Sequence, residues 1–188
     1  MPTAAAGTAA ARTHVPLGLI LGAAVLVADQ ASKAWILYGL DLPALGRVDL
    51  VPTLSFTMVW NRGVTFGLLT GAGGLSRFIL AGIALVVVGA LFLWLRRAES
   101  ALTAAAIGAI AGGAVGNVID RLRFGAVVDF IHFHVGTWSW YVFNVADAAI
   151  VCGVAVLVLD GLWPQRRGTT GEPPDRLMRP DSGATEES

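Results

Sequence analysis

The chain has 188 residues, of which 55% are apolar and only 14% are charged, so it is far more apolar than an ordinary soluble domain. Thirteen basic residues balance thirteen acidic ones, with no basic patch beyond the helix ends that would suit nucleic acid. The one cysteine, Cys152, excludes an intrachain disulfide and a cysteine metal cluster, and its apolar surroundings predict a small buried side chain. The composition indicates an integral membrane protein.

The first membrane helix is predicted at residues 15–38, after a flexible leader over residues 1–14. An apolar helix of this length spans about 30 Å of hydrocarbon at a rise of about 1.5 Å per residue. The apolar run continues through Asp29 and Lys33 without a small-residue cleavage site, which favours a retained helix over a secretory signal. Asp29 and Lys33 share one helical face, so they could form an ion pair with a snorkelling lysine or support a polar site.

Short strands are predicted over about residues 46–66. Pro43 and Pro52 interrupt the apolar periodicity there, and Leu54–Trp60 is rich in β-branched and aromatic residues with partial alternation. The sequence Asn-Arg-Gly at 61–63 ends this run as a turn. We therefore expect a small sheet at the membrane surface.

Three further membrane helices are predicted, at about residues 76–95, 101–119 and 142–163. The short link between the second and third helices makes them antiparallel neighbours. Glycines repeat every four residues on the third helix, at positions 108, 112 and 116. Such a repeat lines one helical face with hydrogen atoms and lets a neighbouring backbone approach closely.

Basic residues in the short flanking segments predict the orientation of the helices. Seven arginines lie on one side of the predicted spans and five on the other, and arginine pairs at 96–97 and 166–167 follow two spans on the richer side. Both termini are therefore expected in the cytoplasm, together with a disordered polar tail over residues 164–188. The small sheet would then face the exterior.

Polar residues concentrate around the third and fourth spans, at Asn117, Asp120, Arg121, Asp129, Asn144 and Asp147. Each ionisable side chain costs roughly 2.5 to 3.5 kcal/mol at the centre of a membrane helix, so such residues need partners, water or a function. The spacing of Asn117, Asp120 and Arg121 places them on one helical face, and Asn144 shares a face with Asp147 in the same way.

Asp129 and Asp147 are the candidate catalytic pair. Two neighbouring carboxylates do not both ionise cheaply, so a pair holds one proton and offers an acid and a base together. The ionised member can take a proton from water while the protonated member polarises a peptide carbonyl, and the Asn144 amide can orient Asp147 or a substrate backbone. The same acids could instead serve a transporter or proton relay, or could only satisfy one another inside a structural bundle.

Other chemistries have less support in the sequence. The three histidines, His14, His132 and His134, form no HExxH pattern, and the last two are expected at the membrane interface. Ser32 and Lys33 are adjacent on a helix and point apart, which disfavours a serine–lysine nucleophile. No phosphate-binding glycine motif is present, and neither an inverted repeat nor a pair of broken helices suggests a transporter.

Five blocks of these residues, in this order and spacing, resemble the lipoprotein signal peptidases, also called signal peptidase II. The blocks are Asp29–Lys33, Asn61–Gly63 with Phe66, Gly116–Arg121, Gly125–Phe130 and Phe143–Asp147. The resemblance covers about residues 15–163 and implies an all-α membrane protein with four transmembrane helices and a small extracytoplasmic β-cradle between helices 1 and 2. Two flanking positions, Val64-Thr65 and Tyr141-Val142, depart from the family pattern and bear on loop shape and substrate fit.

The resemblance also implies an activity and a set of site residues. The activity is that of an aspartyl endopeptidase in the bacterial cytoplasmic (inner) membrane, which cuts diacylglyceryl-modified prolipoproteins just before the lipidated cysteine. No metal or organic cofactor is implied, the partners are substrate and membrane lipid, and we expect a monomer. By position, the catalytic residues are Asp129 and Asp147, the residues that bind substrate or support the dyad are Asn61, Gly63, Asn117, Asp120, Arg121 and Asn144, and the structural polar supports are Asp29 and Lys33.

Overall fold

The structure, a computed structural model, describes residues 14–63 and 75–162, and four of the helices in these ranges are long and apolar enough to cross a membrane. They are α1 (Val15–Ala34), which one π-helical turn extends over Trp35–Gly39, α3 (Leu75–Leu95), α4 (Ala101–Phe124) and α5 (Val145–Leu162). A single-turn helix, α2 (Leu42–Leu45), follows the first span. The predicted disordered tail, almost all of the predicted leader and the last residues of the predicted strand region lie outside the described residues.

Helix α4 is the central element, because it packs against α1, α3 and α5. It begins at a cap in which the Ser100 hydroxyl oxygen accepts a hydrogen bond of 2.9 Å from the Thr103 N–H. It ends at Gly125, whose φ of 76° is a left-handed conformation typical of helix ends. The helix therefore runs to Phe124, beyond the predicted end at 119, because the glycine cap and not the end of the apolar run terminates it.

The glycines of α4 form the contact with α1. A Cβ atom added to Gly108 would overlap the carbonyl oxygen of Gly18, and one added to Gly112 would overlap that of Gly22. One turn further on, a Cβ atom on Gly116 would overlap the Asp29 carboxylate. The predicted close approach is confirmed, and it sets the Asp29 side chain directly against the α4 backbone.

The outer faces of the bundle carry large exposed apolar side chains. Ile20 on α1, Val86 on α3 and Val151 on α5 are each at least 67% exposed. Cys152 is also exposed, so the prediction of a buried cysteine is wrong. An apolar run in a membrane helix does not by itself imply burial within the protein, because hydrocarbon can surround an apolar side chain as well as a protein core does.

The sheet has four antiparallel strands in the order β1 (Arg47–Val51), β2 (Leu54–Asn61), β3 (Val127–Val135) and β4 (Trp138–Ser139). The predicted strand region between the first two spans supplies β1 and β2. The other two strands come from the segment between α4 and α5, which the sequence did not assign to the sheet. In the central pairing Val59 lies opposite Asp129 and Trp60 opposite Val128, so β2 and β3 bring two distant parts of the chain together.

An apolar cluster fixes the sheet to the end of the first span. Phe56 of β2 lies between Trp35 and Phe130, with ring centroids 5.9 Å apart in both edge-to-face pairs. The buried members of the cluster come from the π-helical turn, α2 and β3, and are Ile36, Leu37, Leu42, Val128 and Phe130. This packing places the strand that carries Asp129 beside the end of the helix bundle.

Candidate active site

The structure gathers the predicted polar residues from five separate parts of the chain. The end of α1 supplies Asp29 and Lys33, the last turns of α4 supply Asn117, Asp120 and Arg121, the strands β2 and β3 supply Asn61 and Asp129, and the start of α5 supplies Asn144 and Asp147. Most of these side chains are buried, so their polar atoms depend on one another for hydrogen bonds.

Asp129 is 1% exposed and accepts two amide hydrogen bonds. Asn144 Nδ2 donates to its Oδ1 at 2.7 Å, and Asn61 Nδ2 donates to its Oδ2 at 2.9 Å. The pKa of this carboxyl is raised to about 6, mainly by burial and also by the negative charge of Asp147, while the amide donors and Lys33 oppose the shift. Asp129 can therefore hold a proton far closer to neutral pH than an exposed aspartate can.

Asp147 lies in the first turn of α5 and is partly exposed. Asn117 Nδ2 donates to its Oδ1 at 2.8 Å, and its own N–H donates to Asn144 Oδ1 at 2.9 Å. Asn144 thus caps the helix and does not lie on its face as predicted, because α5 begins at Val145 and not at 142. A carboxylate in the first turn is also favoured by the positive end of the helix dipole.

Two asparagines connect the aspartates. The Asn144 amide, which is fully buried, donates to Asp129 Oδ1 and also to Asn117 Oδ1, at 3.2 Å. Since Asn117 in turn donates to Asp147, the hydrogen bonds form a continuous chain from one carboxylate to the other. The arrangement fixes both acids relative to each other through the two amide side chains.

Gly63 holds the Asn61 side chain in place. Its N–H donates to Asn61 Oδ1 at 2.9 Å, which leaves the Asn61 amide nitrogen facing Asp129. Its φ is 72°, a left-handed conformation that favours glycine. Asn61 and Gly63 thus act together on Asp129.

Lys33 is the centre of a second buried cluster. Its Nζ lies 2.8 Å from Asp29 Oδ2 and 2.7 Å from Asp120 Oδ2, and it also donates to Asn117 Oδ1 at 3.2 Å. Both carboxylates are fully buried and Lys33 is 2% exposed, so the lysine does not snorkel to the membrane surface. Removing one member of such a buried ion cluster leaves an uncompensated charge, at a cost of about 3 to 5 kcal/mol.

The two acids of this cluster also hold the elements that carry the candidate pair. Asp29 Oδ1 accepts a hydrogen bond of 3.0 Å from the Ala146 N–H, next to Asp147. Asp120 Oδ2 accepts one of 3.1 Å from the Val128 N–H, next to Asp129. Of the two interpretations left open for Asp29 and Lys33, these contacts favour support of a site.

Gln30 was not predicted as a site residue, yet it belongs to the same cluster. Its Nε2 donates to Asp120 Oδ1 at 3.1 Å and to Asp29 Oδ2 at 3.2 Å. A neutral amide in an apolar helix gives a weaker sequence signal than a charge. Its position beside Asp29 is the feature that could have identified it.

Arg121 lies among the aspartates but forms no ion pair within the residues that the structure describes. Its NH1 group donates to the Asn117 carbonyl oxygen at 3.2 Å, and its positive charge acts on Asp147, Asp129 and Asp120. Its buried Nε has no hydrogen-bond partner in the described part of the chain. A buried donor without a hydrogen-bond partner carries an unfavourable desolvation cost.

A cavity of about 560 Å³ opens beside the candidate pair. Asp129 and Asn61 form its polar floor. The wall contains residues that were not predicted as site residues, namely Val59, Trp60, Arg62, His132, Ser139, Trp140, Tyr141 and Val142. Asp147 is partly exposed but is not among the residues that line this cavity. The structure therefore presents Asp129 to a molecule bound in this cavity.

Four apolar helices of membrane-spanning length, with a cluster of acids at one end beneath an antiparallel sheet, define a multi-pass membrane protein with a polar site. Residues 21–163 match the family model described as Signal peptidase (SPase) II. The chain is 54% identical over 150 residues to the lipoprotein signal peptidase of Methylorubrum extorquens (strain PA1), covering 80% of this chain and 88% of the relative. Over 165 residues it is 50% identical to that of Methylobacterium sp. (strain 4-46), covering 88% and 96%. The chain belongs to the signal peptidase II family, a family of proteases.

Solved structures agree with this result. A bacterial membrane enzyme determined by the in meso method at 1.9 Å resolution is similar with a TM-score of 0.69 and 25% sequence identity, covering 80% of this chain and 95% of that one. A second, determined at 2.3 Å, gives a TM-score of 0.66 at 26% identity. The family resemblance and the predicted fold class are confirmed.

Proposed function

We propose that this chain is an aspartyl endopeptidase that removes the signal peptide from diacylglyceryl-modified prolipoproteins by cutting just before the lipidated cysteine. The substrate class is supported by its relatives, which are named lipoprotein signal peptidases. The aspartyl mechanism is supported by the hydrogen-bonded chain that joins Asp129 to Asp147 through Asn144 and Asn117.

In the proposed reaction the two aspartates share one proton, carried by Asp129, whose raised pKa of about 6 suits this role. Ionised Asp147 takes a proton from a water molecule, and the water oxygen attacks the scissile carbonyl carbon. Asp129 gives its proton to the carbonyl oxygen at the same time. The C–N bond then breaks as Asp147 passes its proton to the leaving amine and the oxygen returns a proton to Asp129.

The remaining site residues act on substrate or on the dyad in this proposal. Asn61 and Gly63 hold Asp129, while Asn117 and Asn144 orient both acids. Arg121, whose positive charge acts on all three nearby aspartates, binds a carbonyl oxygen of the substrate backbone through its guanidinium. Asp120 supports β3 through the Val128 N–H. Asp29 holds the start of α5 through the Ala146 N–H, and Lys33 holds the last turns of α4 through Asn117.

We place the protein in the bacterial cytoplasmic membrane as a monomer, with the aspartates towards the extracytoplasmic face. A lipid-anchored substrate reaches its enzyme by diffusion in the membrane plane. A polar site at the end of a helix bundle with lipid-facing apolar sides suits such a substrate, because it offers water next to the hydrocarbon.

Cleavage of a purified diacylglyceryl-modified prolipoprotein in detergent tests this proposal. We expect the wild type to cut before the lipidated cysteine, and folded Asp129→Asn and Asp147→Asn variants to lose activity by about a hundredfold or more. Asp49→Asn is the matched control, because Asp49 is an exposed aspartate of the sheet that pairs with Arg47 at 2.7 Å.

Mass spectrometry of the products gives the cleavage position. If a folded dyad variant cuts at the wild-type rate, the catalytic assignment is wrong. If the wild type cuts none of several such substrates, the peptidase proposal fails, and uptake assays on the same variants then test for a transporter or proton relay.

A further inference from the structure

The cavity beside Asp129 has a wall that the proposed reaction does not use. His132 of β3 and Ser139 of β4 both line it. His132 Nε2 and Ser139 Oγ are 2.6 Å apart, a short hydrogen bond between two neighbouring strands. The imidazole therefore ties the last strand of the sheet to the strand that carries Asp129.

The histidine is itself anchored on its other side. Its Nδ1 lies 3.2 Å from Thr57 Oγ1 on β2, and this hydroxyl lies 3.2 Å from that of the buried Ser55. A neutral imidazole donates at one nitrogen and accepts at the other, which suits a ring between two hydroxyl groups. Partial burial, His134 and Arg47 all lower the pKa of His132, which favours the neutral ring. The row of hydrogen bonds crosses three strands.

The segment that follows Ser139 is attached to β3 at a few points, among them backbone hydrogen bonds of 2.8 and 3.0 Å between Phe143 and Ile131. Strand β4 has only two residues, and a backbone hydrogen bond of 2.9 Å joins the Trp140 N–H to the Phe133 carbonyl oxygen. Trp140 is 55% exposed and Tyr141 is 79% exposed, yet both line the cavity. Large aromatic side chains so exposed beside a polar floor provide flat apolar surface for a bound chain.

We propose that His132 and Ser139 are positioning residues that set substrate affinity by holding Trp140 and Tyr141 as one wall of the cavity. The ligand of this wall is the peptide segment next to the scissile bond, whose apolar side chains pack against the two aromatic rings. The inference rests on the proposed function and deepens it, because it names residues that select the peptide and do not take part in proton transfer.

The test separates substrate binding from cleavage. Binding of a fluorescently labelled diacylglyceryl-modified signal peptide is measured by anisotropy in the inactive Asp147→Asn background, and KM and kcat are measured in the active enzyme. His132→Ala and Ser139→Ala should each raise Kd and KM about three- to tenfold, the effect of losing one hydrogen bond, and leave kcat within about twofold. Ser139→Thr, which keeps the hydroxyl, should restore wild-type affinity.

His134→Ala is the matched control, since His134 lies beside His132 with ring centroids 5.2 Å apart but does not line this cavity. The double variant of His132 and Ser139 should bind no more weakly than either single variant, because both act through one bond. Unchanged Kd in folded His132→Ala, or an equal loss in His134→Ala, overturns the inference. If the wild type binds the peptide but never cuts it, the proposed function fails. The comparison of Kd values still tests whether His132 and Ser139 position Trp140 and Tyr141 for peptide binding.

Discussion

Opposing interactions act on the proton of Asp129. The carboxyl is almost completely removed from water, which penalises the ionised form, and Asp147 adds charge repulsion. The amide groups of Asn61 and Asn144 stabilise the ionised form by donating to its two oxygens. Because these contributions come from separate side chains, each can be removed in turn, and the direction of each change follows from its sign.

The Asp147→Asn substitution should lower the pKa of Asp129 below about 6, because it removes the neighbouring negative charge. Asn61→Ala should raise this pKa, because it removes a donor to the carboxylate. A pH titration of the carboxyl C=O infrared band in protein labelled with ¹³C-aspartate measures both shifts. Since the proposed reaction needs the proton on Asp129, Asn61→Ala should also move the alkaline decline of kcat/KM to higher pH. Shifts of the same sign in both variants would contradict this account.

At the scale of whole elements, the contact between α1 and α4 depends on glycine. The α4 backbone at Gly108 touches the Gly18 carbonyl oxygen, whereas an added Cβ atom at Gly82 of α3 would meet open space. Both glycines lie inside membrane-length helices, so an alanine at either position gains the same helix propensity. They differ only in what the new methyl group contacts.

Gly108→Ala should therefore destabilise the protein by about 1 to 3 kcal/mol, because the backbones must separate to admit the methyl group. Gly82→Ala should leave stability unchanged or raise it by up to about 1 kcal/mol. The midpoints of thermal unfolding in one detergent give the comparison. Equal midpoints for the two variants would show that α1 and α4 can move apart without cost.

The sequence predicted where the membrane helices lie better than it predicted which strands pair and which side chains form hydrogen bonds. Four apolar runs of membrane length are visible without tertiary information, and so are the charges that interrupt them. Strand β3 was missed because its strand character depends on pairing with β2, where Leu54 lies opposite Phe133. The capping role of Asn144 and the end of α4 at Gly125 depend on local hydrogen bonds, which hydropathy does not report. For the same reason the sequence identified nearly all members of the polar cluster but not the hydrogen bonds between them.

Across the whole molecule, the polar features lie at opposite ends of the helices. The sheet and the acid cluster lie at one end, while the turn between α3 and α4 at the other end carries Arg96, Arg97 and Glu99. Thr103 Oγ1 also donates to Asp160 Oδ2 at 2.9 Å there, joining α4 to α5. Arginines in short links are retained in the cytoplasm. The turn between α3 and α4 is therefore predicted to be cytoplasmic, and the sheet and the acid cluster are predicted to lie on the opposite side of the membrane.

Cysteine labelling tests this orientation. In a Cys152→Ala background, which removes the one native cysteine, Asp49→Cys places a thiol on the sheet and Glu99→Cys places one on the turn between α3 and α4. Asp49 has a side chain that is 67% exposed and Glu99 is also exposed, so both thiols are accessible. A membrane-impermeant maleimide should label Asp49→Cys in intact spheroplasts and Glu99→Cys only after lysis. The reverse pattern would place the acid cluster on the cytoplasmic side, where a peptidase acting on exported prolipoproteins could not meet its cleavage site.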